Sequence, residues 1–203
     1  MKQKKIEQKL IKVGLKIAQQ GKGALFVVTD FQFSNRQKLY VKGRFKPFSI
    51  FNKNAIKKLV DLGTSTDGAI IVSHNGQVRE IGIMIDSRKT FSQHGTRHSA
   101  GFSISQKPNT LVILISEEER KVKLIKSGKI LLQLDALEKG IEKKTVQITN
   151  IYESLGVGAA STIGLSALSV VTGIVLFPGV VVFAGATTVH YLSKLLKMNH
   201  EKK

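Results

Sequence analysis

Leu111-Val112-Ile113-Leu114-Ile115 is an unbroken apolar run that stops abruptly at Ser116-Glu117-Glu118-Glu119. A run of this kind, bounded by polar residues, reads as a strand buried in a sheet. Ala69-Ile70-Ile71-Val72 is a second such run, and Val78 to Ile85 reads as a strand between the two. A sheet of buried strands needs helices on its faces, and the chain provides them. Lys4 to Gln20 places Ile6, Leu10, Val13 and Ile17 at helical intervals, and Gly21 ends that helix. Lys53 to Leu62 is a second helix, with Asn52 as its candidate cap and Gly63 as its stop. Further strands are expected at Ala24 to Thr29, Leu39 to Phe45, Val122 to Ile125 and Ile130 to Leu134. Strands and helices interleave in mixed order, so the fold class is α/β, a central mixed β-sheet flanked by helices.

The 203 residues suit one domain with an appendage. With no cysteine, the chain has neither a disulfide framework nor a thiolate zinc site. The net charge of +18 raises nucleic acid as a partner. The basic residues are spread along the chain, however, with no RNA-binding signature or zinc-finger spacing, so nucleic acid is the least supported partner. The excess equally suits a polyanionic nucleotide or an anionic membrane surface.

Two strings carry the chemistry. Asp67-Gly68-Ala69 puts a carboxylate beside two residues with almost no side chain, at the start of a strand. Gly95-Thr96-Arg97-His98 puts a capping hydroxyl, a guanidinium and an imidazole on one glycine-started helical turn. Together with Ser116-Glu117-Glu118 they form three polar clusters at strand ends and a helix start, which can converge at one rim of a sheet. Such a set suits a nucleotide: a metal or hydroxyl contact, close backbone approach, then a phosphate grip. Each string alone has a plainer reading, because Asp-Gly is a common turn and an Arg-His pair often faces solvent. Glu117 to Glu119 reads equally as a charged strand edge facing Lys121 and Lys123. His74, His94, His190 and His200 fit no metal spacing, and Lys126-Ser127-Gly128-Lys129 reads as a hairpin turn.

From roughly Ile6 to Leu134, these motifs in this order resemble the diadenylate cyclase domain, found in the DNA integrity scanning protein and in membrane-bound cyclases that make cyclic di-AMP. Gly23-Ala24-Leu25 resembles the start of that family's first core strand. Asp67-Gly68-Ala69 matches its Asp-Gly-Ala signature, Gly95-Thr96-Arg97-His98 most of its Gly-Thr-Arg-His-Arg signature, and Ser116-Glu117-Glu118 its Ser-Glu-Glu segment. The resemblance implies a homodimer in which two ATP molecules condense to cyclic di-AMP with release of two pyrophosphates. It implies catalytic roles for Asp67, Arg97 and His98, and nucleotide contacts from Gly68, Ala69, Gly95, Thr96 and Ser116. Thr96 would cap the helix, and Mg2+ or Mn2+ would sit at Asp67 with Glu117 or Glu118, of which strand alternation lets one face the site and Glu118 is the one favoured. Ile85 is the expected neighbour of the adenine. Two positions depart from the pattern: Ser99 stands where the family usually has a second arginine, and Thr66 where a histidine is common. These departures raise a second reading, a catalytically retired nucleotide-binding sensor of the same fold.

The expected organisation is an N-terminal amphipathic helix over 1–21, the cyclase-like domain over 22–135, a basic linker over 136–153, an apolar helical hairpin over 154–196 and a basic tail over 197–203. From Ser154 to Ser193 no Asp, Glu, Lys or Arg occurs. That length crosses a roughly 30 Å apolar slab twice at about 20 residues per helix. Pro178-Gly179 offers the turn, and Gly156, Ala160 and Gly164 allow close helix approach. Lysines on both flanks place both ends, and the cyclase domain, on the cytoplasmic side of the cell membrane.

Overall fold

The computed structural model describes residues 2–34, 37, 45–86 and 95–141, together with the backbone of 174–177 and 180–183. Among the described residues are α1 (Lys2–Gln19), α2 (Ala55–Ser65) and α3 (Thr96–Ser105). The strands are β1 (Ala24–Val28), β2 (Phe48–Ser49), β3 (Ala69–Val72), β4 (Gln77–Ile83), β5 (Leu111–Ser116), β6 (Lys121–Lys126), β7 (Lys129–Asp135), β8 (Ile174–Phe177) and β9 (Val180–Phe183). They form one mixed sheet in the order β2-β4-β3-β1-β5-β6-β7-β9-β8. The central pair β1 and β3 is parallel, Phe26 opposite Ile70, while β5 runs antiparallel to β1 with Phe26 opposite Ile113.

The sheet is covered on both faces, which explains why β1, β3 and β5 read as continuous apolar runs. Ile113 and Ile115 of β5 join Phe26, Ile70 and the apolar stripe of α1 in one core layer. Val112 and Leu114 turn the other way and pack with Leu25, Ile71 and Ile104 of α3 in a second. Gly14 of α1 lets that helix settle onto Ile115 and Val122, where an added Cβ would lie 3.2 Å from each side chain. Gly21, at φ +66°, ends α1 as expected, its amide donating to the Ala18 carbonyl. The Lys126 to Lys129 hairpin turn also forms, with Ser127 and Gly128 both at positive φ in the manner of a type I′ turn.

Several expectations need correction. Gly63 does not stop α2, which runs on to Ser65. It instead marks a close approach, for a Cβ there would lie 2.5 Å from Ile17 Cδ1. The N-cap of α2 is Asn54 rather than Asn52. Thr96 is the first residue of α3 and not its cap; extended Gly95 holds that position, with its carbonyl accepting from the His98 amide. Of the strand expected at 39–45, residues 39–44 lie outside the described ones. Within the expected apolar helical hairpin, 174–177 and 180–183 are strands, β9 pairing parallel to β7 and antiparallel to β8. Ile-Val-Leu-Phe and Val-Val-Val-Phe are rich in β-branched and aromatic residues, which favour an extended backbone. The rest of 142–203 lies outside the described residues, among which no helix is long and apolar enough to cross a membrane.

Candidate active site

At one rim of the sheet the N-terminal ends of β1 and β3 meet the C-terminal ends of β4 and β5, since β4 and β5 run antiparallel to their neighbours. The first turn of α3 lies against this rim. Two adjoining cavities open there. The larger, about 590 Å³, is lined by Asp67, Gly68, Ala69, Ile85, Thr96 and Arg97 among others. The smaller, about 340 Å³, is lined by Gly95, Thr96, Arg97, His98, Ser116 and Glu118, with Glu117 beside them. Thr96 and Arg97 form the wall common to both. All nine residues singled out from the sequence thus face one cavity or the other, and the larger lies within the size range of small-molecule sites.

Gly68 is needed where it stands. Its φ is +84°, and a Cβ would come within 2.8 Å of the Gly82 carbonyl carbon in β4. The chain therefore turns tightly into β3 and presents Asp67 at the cavity mouth, its side chain 83% exposed. Arg97 reaches back from α3 to 3.9 Å from Asp67 Oδ1 and 3.5 Å from Glu117 Oε2. One guanidinium thus lies between two carboxylates, and the glutamate it meets is Glu117, while Glu118 lines the smaller cavity. Ser116 is buried, and its Oγ accepts from the Glu119 amide at 3.3 Å, which leaves its own proton free to donate.

Three residues in or behind the site were given no part in it by the sequence. Gly23 precedes β1 beneath Arg97, and a Cβ there would lie 2.7 Å from Arg97 Nη1. Lys123 of β6 is buried, its Nζ 3.1 Å from His98 Nε2 and 2.6 Å from Glu119 Oε1. Glu119 also meets Lys121 at 3.6 Å. Burial of Glu119 pushes its carboxyl up, but the hydrogen bond from Lys123 and the charges of Lys123 and Lys121 outweigh it and hold the group below the usual glutamate range. The sequence reading of a charged edge facing Lys121 and Lys123 anticipated the two ion pairs of Glu119 but not the burial of Lys123 or its contact with His98.

Among the described residues no three His, Cys, Asp or Glu side chains converge as a self-sufficient metal centre. Asp67 and the neighbouring glutamates offer hard oxygen donors on an open rim, which suits a divalent cation held partly by a nucleotide's phosphates. At the opposite rim His74 pairs with Asp30 at 2.8 Å, remote from these donors.

An α/β domain with a carboxylate, a guanidinium and a glycine-started helical turn at one sheet rim has the form of a nucleotide-binding domain. The family described as DisA bacterial checkpoint controller nucleotide-binding, the diadenylate cyclase domain, matches residues 14–130, and the chain belongs to it. A diadenylate cyclase from Methanocaldococcus jannaschii is 29% identical over 147 residues, covering 66% of this chain and 47% of that protein. The chain thus spans about half the length of this curated relative. Similar solved structures include a cysteine double mutant of DacA from Staphylococcus aureus, with TM-score 0.48, 18% identity, and coverage of 73% of this chain and 95% of the other. A hypothetical membrane spanning protein from Bacillus cereus gives TM-score 0.44 and 21% identity over 60% of this chain and 59% of the other.

Proposed function

We propose that the chain is a diadenylate cyclase, condensing two ATP molecules into cyclic di-AMP and two pyrophosphates across a face-to-face homodimer. The observation that carries this reading is Arg97 in the wall between two cavities, one holding Asp67-Gly68-Ala69 and the other His98, Ser116 and the glutamates. The sugar and base fit the first, where Gly68 and Ala69 leave room beside Ile85, and the phosphates fit the second. In each half-reaction a ribose O3′ of one ATP bonds to the α-phosphorus of the other, and the bond from that phosphorus to the bridging oxygen of pyrophosphate breaks. Asp67 lies where it can accept the hydroxyl proton, while Arg97, the α3 amides and the Ser116 hydroxyl meet phosphate oxygens. Asp67 with Glu118 would hold Mg2+ or Mn2+, which when bound neutralises charge developing on the phosphates.

Incubation of the full chain with ATP and Mg2+ or Mn2+, with the product identified by mass, tests the reading. Cyclic di-AMP is expected from the unmodified chain, and D67N should abolish it while the fold persists. Product formation unchanged in D67N overturns the assignment. ATP binding without any product selects the second reading, the retired sensor, which the departure at Ser99 motivates. Membrane attachment is a separate proposal resting on the charge-free 154–193 stretch. Recovery of the full chain from the carbonate-resistant membrane fraction of expressing cells would support it, and recovery in the soluble fraction would remove it.

A further inference from the structure

We infer that Lys123 is a positioning residue that fixes the His98 imidazole in one tautomer at the phosphate side of the site. The link to nucleotide rests on the reading above, whereas the Lys123–His98 contact stands on geometry alone. Lys123 lies in β6 opposite Leu114 of β5, whose side chain belongs to the apolar layer beneath α3. A side chain only 5% exposed in such a layer holds a charge at a cost unless it is paired. Glu119 provides the pair at 2.6 Å, coming from the turn after β5 with Lys121 on its other oxygen at 3.6 Å.

The same ammonium lies 3.1 Å from His98 Nε2. An ammonium only donates, so the nitrogen it meets must carry the imidazole lone pair, and the ring proton stays on Nδ1. The ring is thereby held at one end, while the His98 amide is tied to the Gly95 carbonyl at 3.0 Å. His98 is thus a neutral donor of fixed orientation, and Arg97 supplies the positive charge in the first turn of α3. Glu119, at 3.9 Å from His98 Nε2, lies too far to accept from it in a direct hydrogen bond, so Lys123 stands between the two groups that it links.

The experiment uses the full chain labelled with 15N at histidine. Ring spectra at neutral pH should show His98 with Nε2 unprotonated and Nδ1 protonated, assigned by comparison with H98Q. K123M fills the same space without a donor, so it should shift His98 toward mixed tautomers and weaken ATP binding several-fold by calorimetry, in KM more than in kcat. A protonated Nε2 in the unmodified chain overturns the inference, as does K123M with an unchanged ring pattern or with ATP affinity within twofold of the parent. An unmodified chain that binds no ATP overturns the nucleotide reading instead, and the ring nitrogens still decide whether Lys123 sets the tautomer of His98.

Discussion

Arg97 Nη2 lies 3.9 Å from Asp67 Oδ1 while Nη1 lies 3.5 Å from Glu117 Oε2, so one side chain from α3 spans from the start of β3 to the end of β5. Both ion pairs are partly exposed, and pairs of that kind contribute roughly 0–1 kcal/mol to stability. The same guanidinium facing a triphosphate would make charge-assisted hydrogen bonds of about 1.5–3 kcal/mol. R97M should therefore melt within a few degrees of the parent and lose about tenfold or more in ATP affinity. R97K should fall between them, because an ammonium keeps the charge without the fork. Paired thermal melts and calorimetric titrations check this, and a large loss of melting temperature in R97M would show that the residue holds the fold.

Gly23 gives Arg97 its seat. An alanine there would put Cβ 2.7 Å from Arg97 Nη1 and 3.2 Å from the Ile115 carbonyl. The guanidinium is the movable partner, so G23A is expected to displace it and weaken ATP binding several-fold, with stability lowered by only about 1 kcal/mol. An ATP titration decides this: unchanged affinity would mean that Arg97 does not reach nucleotide from this position.

Much of the fold was legible because β1, β3 and β5 are buried on both faces and so wrote themselves as unbroken apolar runs. The grouping of the candidate site residues at one rim was legible because their types are rare in combination and their order along the chain is specific. Lys123 was not, since a lysine in a strand is normally at the surface and reads as an edge partner for the acidic run. Its burial depends on the turn after β5, where Arg120 takes φ +54° and swings Glu119 back over β6, a conformation that composition does not announce. Gly63 was misread for a similar reason: a glycine near a helix end has two uses, and only the crossing of α1 and α2 shows that close packing is the one in force. The strands at 174–177 and 180–183 were masked by a charge-free stretch whose length alone favoured helices.

Ser99 is 2% exposed and lines neither cavity. Gly101, two residues on and about 200° around the helix, is the one that meets the sheet side chains Leu25 and Val112, so Ser99 is buried on another side of α3. Introducing the family's arginine by S99R would force a guanidinium into a buried position, at an expected cost of about 2 kcal/mol or more, whereas S99A should stay within about 1 kcal/mol. Chemical denaturation of the two variants separates these outcomes. If S99R proves as stable as the parent and gains activity, the first turn of α3 must rotate to free position 99, and the retired reading gains its strongest support.

Glu119 makes stability depend on pH in a direction that can be worked out. Its folded carboxyl is held below the usual glutamate range, so the folded state favours the ionised form more than the unfolded chain does. The resulting stabilisation is complete above the usual glutamate range and is lost as pH falls through the lower folded value. E119Q removes it and also leaves Lys123 without its carboxylate, so at neutral pH the variant should be less stable by about 1–3 kcal/mol. Below the usual glutamate range the two stability curves should draw together, because the parent's own carboxyl is then becoming protonated. Denaturant titrations of both proteins across the acid limb measure this directly. A gap that persists undiminished through the acid limb would mean that the Lys123–Glu119 contact at 2.6 Å contributes through packing rather than charge.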